Sequence, residues 1–311
     1  MERQTAHTKP SSQRSRESAW RVHVLPRWGK TRVSDIKATD VQAWIAQLST
    51  NPTTGRRKGV GLKAEVIETC LTVLSGILDD AVTDRRIPAN PLRDKLKIPA
   101  RIERLHKYLT HEQVRALAGE AKHPQIVLTL ACTGIRWGEL AGLRVRHLDL
   151  LRRRISLVDN AVTVGNRVVV GTLKGHHNRV VSMPGFVADA LARVCAGKGR
   201  DELLWTDAKG QPMKPPASKD SWLSGAVERC MKADETFPRI TAHSLRHTYA
   251  SLAVSSGANV KVVQRQLGHK SASMTLDVYS DLFDTDMDAV AQAFDLECAQ
   301  SVPKVGLKRV R

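Results

Sequence analysis

Between residues 153 and 184 the hydrophobic pattern of this chain changes period, and that change limits what it can fold into. Upstream, apolar residues recur at helical spacing: Val41, Trp44, Ile45 and Leu48, then Ile67, Leu71, Leu74, Leu78 and Val82. Downstream, helical patterning returns at Phe186 and continues to about Phe294, broken by the loop DAKGQPMKPPASKD (207–220). In between lie three short β-branched runs, RRISLV, NRVVVGTL and NRVVSMP, separated by the turn-like NAVTVG and KGHH. The expectation is a mainly α chain with a small antiparallel β-sheet inserted among its helices.

A length of 311 residues suggests two domains. Residues 1–18 are rich in Ser, Arg and Gln and are expected to be a disordered basic segment. Residues 19–92 read as a small helical domain. KATDVQAWIAQLS has Thr39 or Asp40 as an N-cap, and the basic, Gly-containing loop TNPTTGRRKGVG carries Arg56, Arg57 and Lys58. A long helix follows and stops at IPANP, because proline lacks a donor and restricts the residue before it. Residues 93–107 are charged and read as a linker. A second domain, 108–298, opens on a capping box, Thr110 with Gln113. HPQIVLTLACTG is an apolar helix ending at Gly134, and IRWGELAGLRVRHLDL resumes helical patterning. Residues 299–311 form a basic tail, and no internal repeat is visible.

Lys and Arg number 49 against 31 Asp and Glu, a net charge of +18. Such an excess asks for a polyanion, most simply nucleic acid. A membrane surface is the rival, but no apolar run approaches the roughly 20 residues that span a bilayer. The N-terminus has no apolar secretory core, which points to the cytoplasm. The charge is spread through ordinary globular segments, which argues against a simple coating protein. Five scattered cysteines read as small core residues of a reducing compartment, not as a disulfide framework or a zinc site.

TAHSLRHTYASLA (241–253) is unusual for an amphipathic helix. On a helical wheel Leu245, Tyr249 and Leu252 form an apolar stripe, while His243, Arg246 and His247 gather roughly opposite. Thr241 is a candidate cap, and a helix start offers free N–H groups to an anion. Taken alone, the histidines could be ordinary surface residues. His243 and His247 have the spacing to share a zinc, but no HExxH glutamate or clear third ligand accompanies them.

Three further stretches sharpen the reading. TGIRWGEL presents Arg136 after a Thr-Gly break, with Glu139 three residues on. GTLKGHHNRVV puts Lys174 at a hairpin tip. LGHKSASMTLDVY supplies His269 and then Tyr279. In this order, with HxxR between the last two, they resemble the signature of the tyrosine recombinase, or phage integrase, family. The resemblance covers residues 20–295, and HTYASLAVSSGANVKVVQRQLGHKSASMTLDVYSDLF is especially similar to integrases of actinobacterial phages and integrated elements. It implies a helical core-binding (SAM-like) DNA-binding domain followed by an α+β tyrosine-recombinase catalytic domain.

The resemblance implies a site-specific recombinase that cleaves and rejoins DNA through a covalent 3′-phosphotyrosine, with neither metal, ATP nor another cofactor. The residue types suit that chemistry. Arg136 and Arg246 offer fixed forks of donors to the nonbridging oxygens of a phosphodiester. His243 and His269 add hydrogen bonds or proton transfer, and Lys174 is placed to protonate the departing 5′-oxygen. Glu139 orients Arg136 or a histidine. Of three tyrosines, Tyr108 lies near the linker and Tyr249 shares the core stripe, which leaves Tyr279 as nucleophile. Trp137 reads as packing. His176 and His177 read as turn residues or phosphate contacts, and Arg56, Arg57 and Lys58 as a basic loop or backbone contacts. The partners implied are double-stranded DNA attachment sites, three further copies in a homotetramer that the segment DMDAVAQAF (286–294) helps assemble, and an excision-directionality factor or host DNA-bending protein.

Two features depart from the pattern. Ser244 stands where the family often has aspartate. Only about 19 residues precede Trp20, so the first helix of the core-binding domain looks short or missing, and the chain is either a truncated integrase or one that works on simple sites. A chromosome-dimer resolvase, a type IB topoisomerase and a noncatalytic DNA-binding relative remain as alternatives.

Overall fold

The computed structural model describes residues 10–50, 60–93, 96–101, 107–164, 167–172, 178–273, 275 and 276. The chain forms two compact units, and the main break falls between residues 105 and 106.

In the first unit the backbone is helical from Pro10 to Trp28, as α1 (Pro10–Ala19), a π-helical turn (Trp20–Val24) and α2 (Leu25–Trp28). This corrects one expectation: residues 10–18 are helical rather than disordered. The polar sequence of α1 has no apolar stripe of its own. The run is anchored at its other end, where Ala19, Val24 and Trp28 are buried in the core. Helix propagation from a fixed turn is easy once nucleation is achieved.

Helix α3 (Ala38–Thr50) buries the four apolar residues picked out by spacing, Val41, Trp44, Ile45 and Leu48. It starts at Ala38, so Thr39 and Asp40 sit in its first turn rather than at its cap. Helix α4 (Ala64–Thr83) buries Ile67, Leu71, Leu74 and Leu78, with Val82 at the margin. It packs against α1 and α3, and the rings of Trp28 and Trp44 meet edge to face at 5.8 Å. The stop signal after α4 is tied down by Asn90, whose Nδ2 donates to the Ser75 carbonyl and to Asp79 Oδ1 at 2.7 Å. Arg56, Arg57 and Lys58 lie outside the described residues.

The second unit opens with α5 (His111–Glu120). Its capping box is complete: Thr110 Oγ1 accepts from the Gln113 N–H, and Gln113 Oε1 accepts from the Thr110 N–H. Helix α6 (Pro124–Thr133) ends at Gly134, whose φ of 66° is the left-handed conformation that favours glycine. The helical patterning read over 135–150 yields one short α-helix, α7 (Trp137–Ala141), and a 3-10 turn at Val145–His147. Beyond Gly142 the backbone pairs instead with residues 202–204, where the Leu204 N–H donates to the Leu143 carbonyl and the Val145 N–H to that of Glu202.

The sheet is antiparallel, as its pattern predicts. β1 (Leu148–Asp149), β2 (Arg154–Leu157) and β5 (Arg179–Ser182) form one ladder in the order β1-β2-β5, while β3 (Asp159–Val164) and β4 (Arg167–Thr172) form a separate ribbon. Ile155 pairs with Val181 and Leu157 with Arg179. Among the described residues helices α8 (Gly185–Cys195), α9 (Trp222–Ala233), α10 (Ser244–Ser255) and α11 (Val260–Leu267) follow. The core gathers residues such as Leu130, Leu140, Ile155, Val181, Leu191 and Leu245 from helices and sheet alike. The four described cysteines are free thiols, and burial pushes Cys70 up to about 12 and Cys132 to about 11. Among the described residues no helix is long and apolar enough to cross a membrane.

Candidate active site

The candidate site lies within the second unit, where α6, α7, β5, α10 and α11 present their ends to one another. Two of these helices, α6 and α11, close on left-handed glycines. Gly134 follows α6 and Gly268, with φ 67°, follows α11. Both turns are crowded. A Cβ on Gly134 would lie 2.5 Å from the Tyr249 ring, and one on Gly268 would lie 2.7 Å from Arg179 Nε.

Arg246 joins the two turns. Its Nη1 donates to the Gly134 carbonyl at 2.6 Å and its Nη2 to the Leu267 carbonyl at 2.7 Å. Carbonyls at helix C-termini carry partial negative charge, so a guanidinium is well placed there. Arg246 is only 3% exposed. The helical wheel put it on an open cationic face, and the structure corrects that: α10 packs against α6 on one side and α11 on another, burying Arg246 as well as Leu245. His243 is exposed at the helix start and His247 is half-buried, with their rings edge to face at 5.0 Å. Thr241 Oγ1 accepts from the Ser244 N–H at 3.3 Å, a cap-like bond one turn ahead of the helix. Among the described residues no group of three His, Cys, Asp or Glu could hold a metal ion.

Arg136 opens α7, and its side chain is 40% exposed. Glu139, 2% exposed, accepts from the Arg136 backbone N–H at 2.8 Å and from Arg136 Nη1 at 3.0 Å. Glu139 thus holds Arg136 by backbone and side chain together. The structure adds a residue that the sequence reading passed over. Arg179 on β5 donates Nη1 to Glu139 Oε1 at 2.7 Å and Nη2 to Oε2 at 2.8 Å. One signal was available for it. Alternation along β5 sends Val181 inward, so Arg179 shares the inward face, and an inward arginine needs a counter-charge. Burial opposes ionisation of Glu139, but the hydrogen bonds and charges of Arg179, then of Arg136, outweigh it and hold the carboxyl below its usual range.

His269 follows the second glycine. Gln264 pins its backbone, accepting from its N–H at 3.1 Å and donating to its carbonyl at 3.1 Å, and its Nδ1 lies 2.9 Å from Thr275 Oγ1. Burial first, then the charges of Arg246, Arg136 and Arg179, push its imidazole down to about 4. It is therefore neutral at neutral pH, and the three guanidinium groups that repel its proton lie near it. A cavity of about 400 Å³ is lined by Trp137, Lys219, Arg239 and His243 among others. Trp137 itself packs, donating Nε1 to the Met213 carbonyl at 3.3 Å.

The structure thus brings Arg136, Glu139, Arg246 and His269 together, with His243 at the start of the helix that carries Arg246. Lys174, His176, His177 and Tyr279 lie outside the described residues. Among the described residues β4 pairs with β3, and β5 with β2.

The depressed histidine has a consequence for stability. An unfolded histidine titrates near 6.5, so between that pH and about 4 the unfolded chain takes up a proton that native His269 refuses. Stability is fully present above pH 6.5 and falls as the pH drops through this window. Burial lowers His23, His123 and His147 in the same direction. The urea midpoint is expected to fall from pH 6.5 to 4, and less steeply in His269→Gln. A midpoint flat across that range would contradict the buried, neutral assignment.

A buried arginine on two helix ends, a second arginine tethered by a shared carboxylate and a neutral histidine make a site suited to an anion. Comparison with known proteins agrees with that class. The model of the phage integrase family matches residues 107–286, and that of the phage integrase N-terminal SAM-like domain matches residues 1–49. The chain is 30% identical over 266 residues to the integrase of Mycobacterium phage D29, covering 82% of this chain and 66% of that one. It is 25% identical to a tyrosine recombinase of Thermosipho africanus, covering 83% and 85%. A solved structure of the Tn1549 transposon integrase with transposon right end DNA shares the fold, with a TM-score of 0.76 at 23% identity over 93% of this chain and 96% of that one. The chain belongs to the phage integrase family, a family of site-specific tyrosine recombinases. It spans about two thirds of the phage D29 relative.

Proposed function

We propose that this chain cleaves and rejoins double-stranded DNA at attachment sites, as an integrase of a phage or integrative element working in the cytoplasm of its host. In this reading the Tyr279 phenol gives its proton to a nearby base, its oxygen attacks the scissile phosphorus and the phosphorus–5′-oxygen bond breaks. Lys174 gives a proton to the departing 5′-oxygen. The 3′-phosphotyrosine keeps the bond energy, so a 5′-hydroxyl from another strand displaces the phenol without ATP. Arg136 and Arg246 stabilise the charge gathering on the nonbridging oxygens, with hydrogen bonds from His243 and His269. Four protomers exchange strands in turn, assisted by an accessory factor that sets direction. A net charge of +18 suits the polyanionic substrate.

The observation that carries this reading is a chain of hydrogen bonds that joins segments up to 133 residues apart (136 to 269): Arg246 spans the Gly134 and Leu267 carbonyls just ahead of His269, and Arg136 shares Glu139 with Arg179, which reaches the Gln266 carbonyl. The test is a nicked duplex bearing the DNA that flanks the reading frame, whose cleavage releases a short fragment and strands the covalent complex. The complex is expected to form at the same rate in excess EDTA as in magnesium. Strict dependence on added metal would defeat the mechanism.

A further inference from the structure

Glu139 is unusual in having two arginines. A carboxylate offers about four lone-pair sites, and among the described residues all four are taken: two by Arg179, one by the Arg136 backbone and one by Arg136 Nη1. Arg179 makes the fork-to-fork pair, with both terminal nitrogens on both oxygens, and its side chain is only 15% exposed. Arg136 spends one of its five side-chain donors on Glu139 and is 40% exposed. The better-paired arginine is the more shielded one, and the worse-paired one is the more exposed.

We propose that Arg179 is a positioning residue: by holding Glu139 in a bidentate pair, it keeps Arg136 from collapsing onto that carboxylate and leaves the Arg136 guanidinium for a DNA phosphate. The inference rests on the reading that Arg136 meets the scissile phosphate. The charge count supports it. Two guanidiniums and one carboxylate leave the trio at +1, whereas Glu139 with Arg136 alone would be neutral. A buried, under-paired carboxylate is costly. Without Arg179, Glu139 would draw the exposed Arg136 side chain into its own bidentate pair.

Arg179 also ties this trio to the rest of the pocket. Its Nε donates to the Gln266 carbonyl at 3.4 Å, next to the Leu267 carbonyl that holds Arg246. Gln266 fastens that turn to β5, its Nε2 donating to the Ser182 carbonyl at 2.6 Å and its Oε1 accepting from the Ser182 N–H at 3.1 Å. Gly268 leaves room for the guanidinium, since a Cβ there would sit 2.8 Å from Arg179 Cζ.

The test is a double-mutant cycle read by single-turnover cleavage of the nicked duplex, with DNA affinity and thermal midpoint measured on each protein. Arg179→Ala is expected to cleave roughly 100-fold slower or worse, the usual effect of losing one transition-state donor, while binding DNA within about threefold of wild type. Removing the unbalanced charge as well, in Arg179→Ala/Glu139→Gln, should recover at least about tenfold of that loss, a positive coupling that a merely structural role would not produce. Arg179→Lys keeps the charge but not the fork. It should hold the thermal midpoint while cleavage falls about tenfold, so the idea stays testable where the alanine variant folds poorly. Multiplicative losses in the double variant, or wild-type cleavage by Arg179→Lys, would overturn the proposal. A wild-type protein that forms no covalent complex would overturn the recombinase reading instead, and this inference with it.

Discussion

Arg246→Ala is expected to lose stability and DNA cleavage together. The substitution removes a guanidinium that is 3% exposed and leaves the Gly134 and Leu267 carbonyls facing a void. A buried acceptor without a partner costs about 1–3 kcal/mol, and the void adds a cavity penalty. The sum, about 3–5 kcal/mol, is a large share of the stability of a domain this size. Cleavage should vanish even where enough protein folds, because the same side chain is assigned to the phosphate. Arg246→Lys separates the two effects. Lysine keeps the positive charge between the helix ends but is a point charge, unable to bridge two carbonyls and a phosphate at once. It should recover much of the thermal midpoint and still cleave at least about 100-fold slower than wild type. Equal recovery of stability and cleavage would mean that Arg246 is only a structural brace.

Tyr279→Phe is expected to bind DNA with wild-type affinity and to give no covalent complex at all. The substitution removes one oxygen and keeps the ring. The other tyrosines serve as controls. Burial pushes the Tyr249 hydroxyl up to about 12, and its ring packs against the Gly134 turn. A phenol must be ionised to attack, and even an unperturbed one costs about 4 kcal/mol at pH 7. Tyr249 faces a larger cost, so Tyr249→Phe should leave cleavage nearly unchanged. Tyr108 is exposed just ahead of α5, and its phenylalanine variant should also cleave normally. Trapping that persists in Tyr279→Phe would assign the nucleophile elsewhere.

What the sequence made legible follows the range of the forces involved. The Thr110 capping box, the Gly134 stop and the apolar faces of α3 and α4 are written in residues a few positions apart, and the structure contains each of them. So is the switch from helical to strand period. The burial of Arg246 was not legible, because a helical wheel sees one helix and cannot know that α10 has neighbours on two sides. The helicity of residues 10–18 was hidden for a similar reason, since the turn that anchors α1 lies beyond it, at Val24 and Trp28. Arg179 acquires its meaning only through Glu139, 40 residues earlier. In NRVV an arginine aimed at a carboxylate reads the same as one aimed at water, until the inward position of Val181 is used to place it.

The central claim is best tested by finding where DNA becomes attached. Covalent complex made by the wild-type protein on a nicked duplex is digested with trypsin and nuclease, and the nucleotide-bearing peptide is sequenced by mass spectrometry. The account predicts a single adduct on the peptide spanning residues 271–304, on the Tyr279 oxygen and joined to a 3′-phosphate. Attachment at Tyr108, at Tyr249 or at a serine, or a link to a 5′-phosphate, would contradict it.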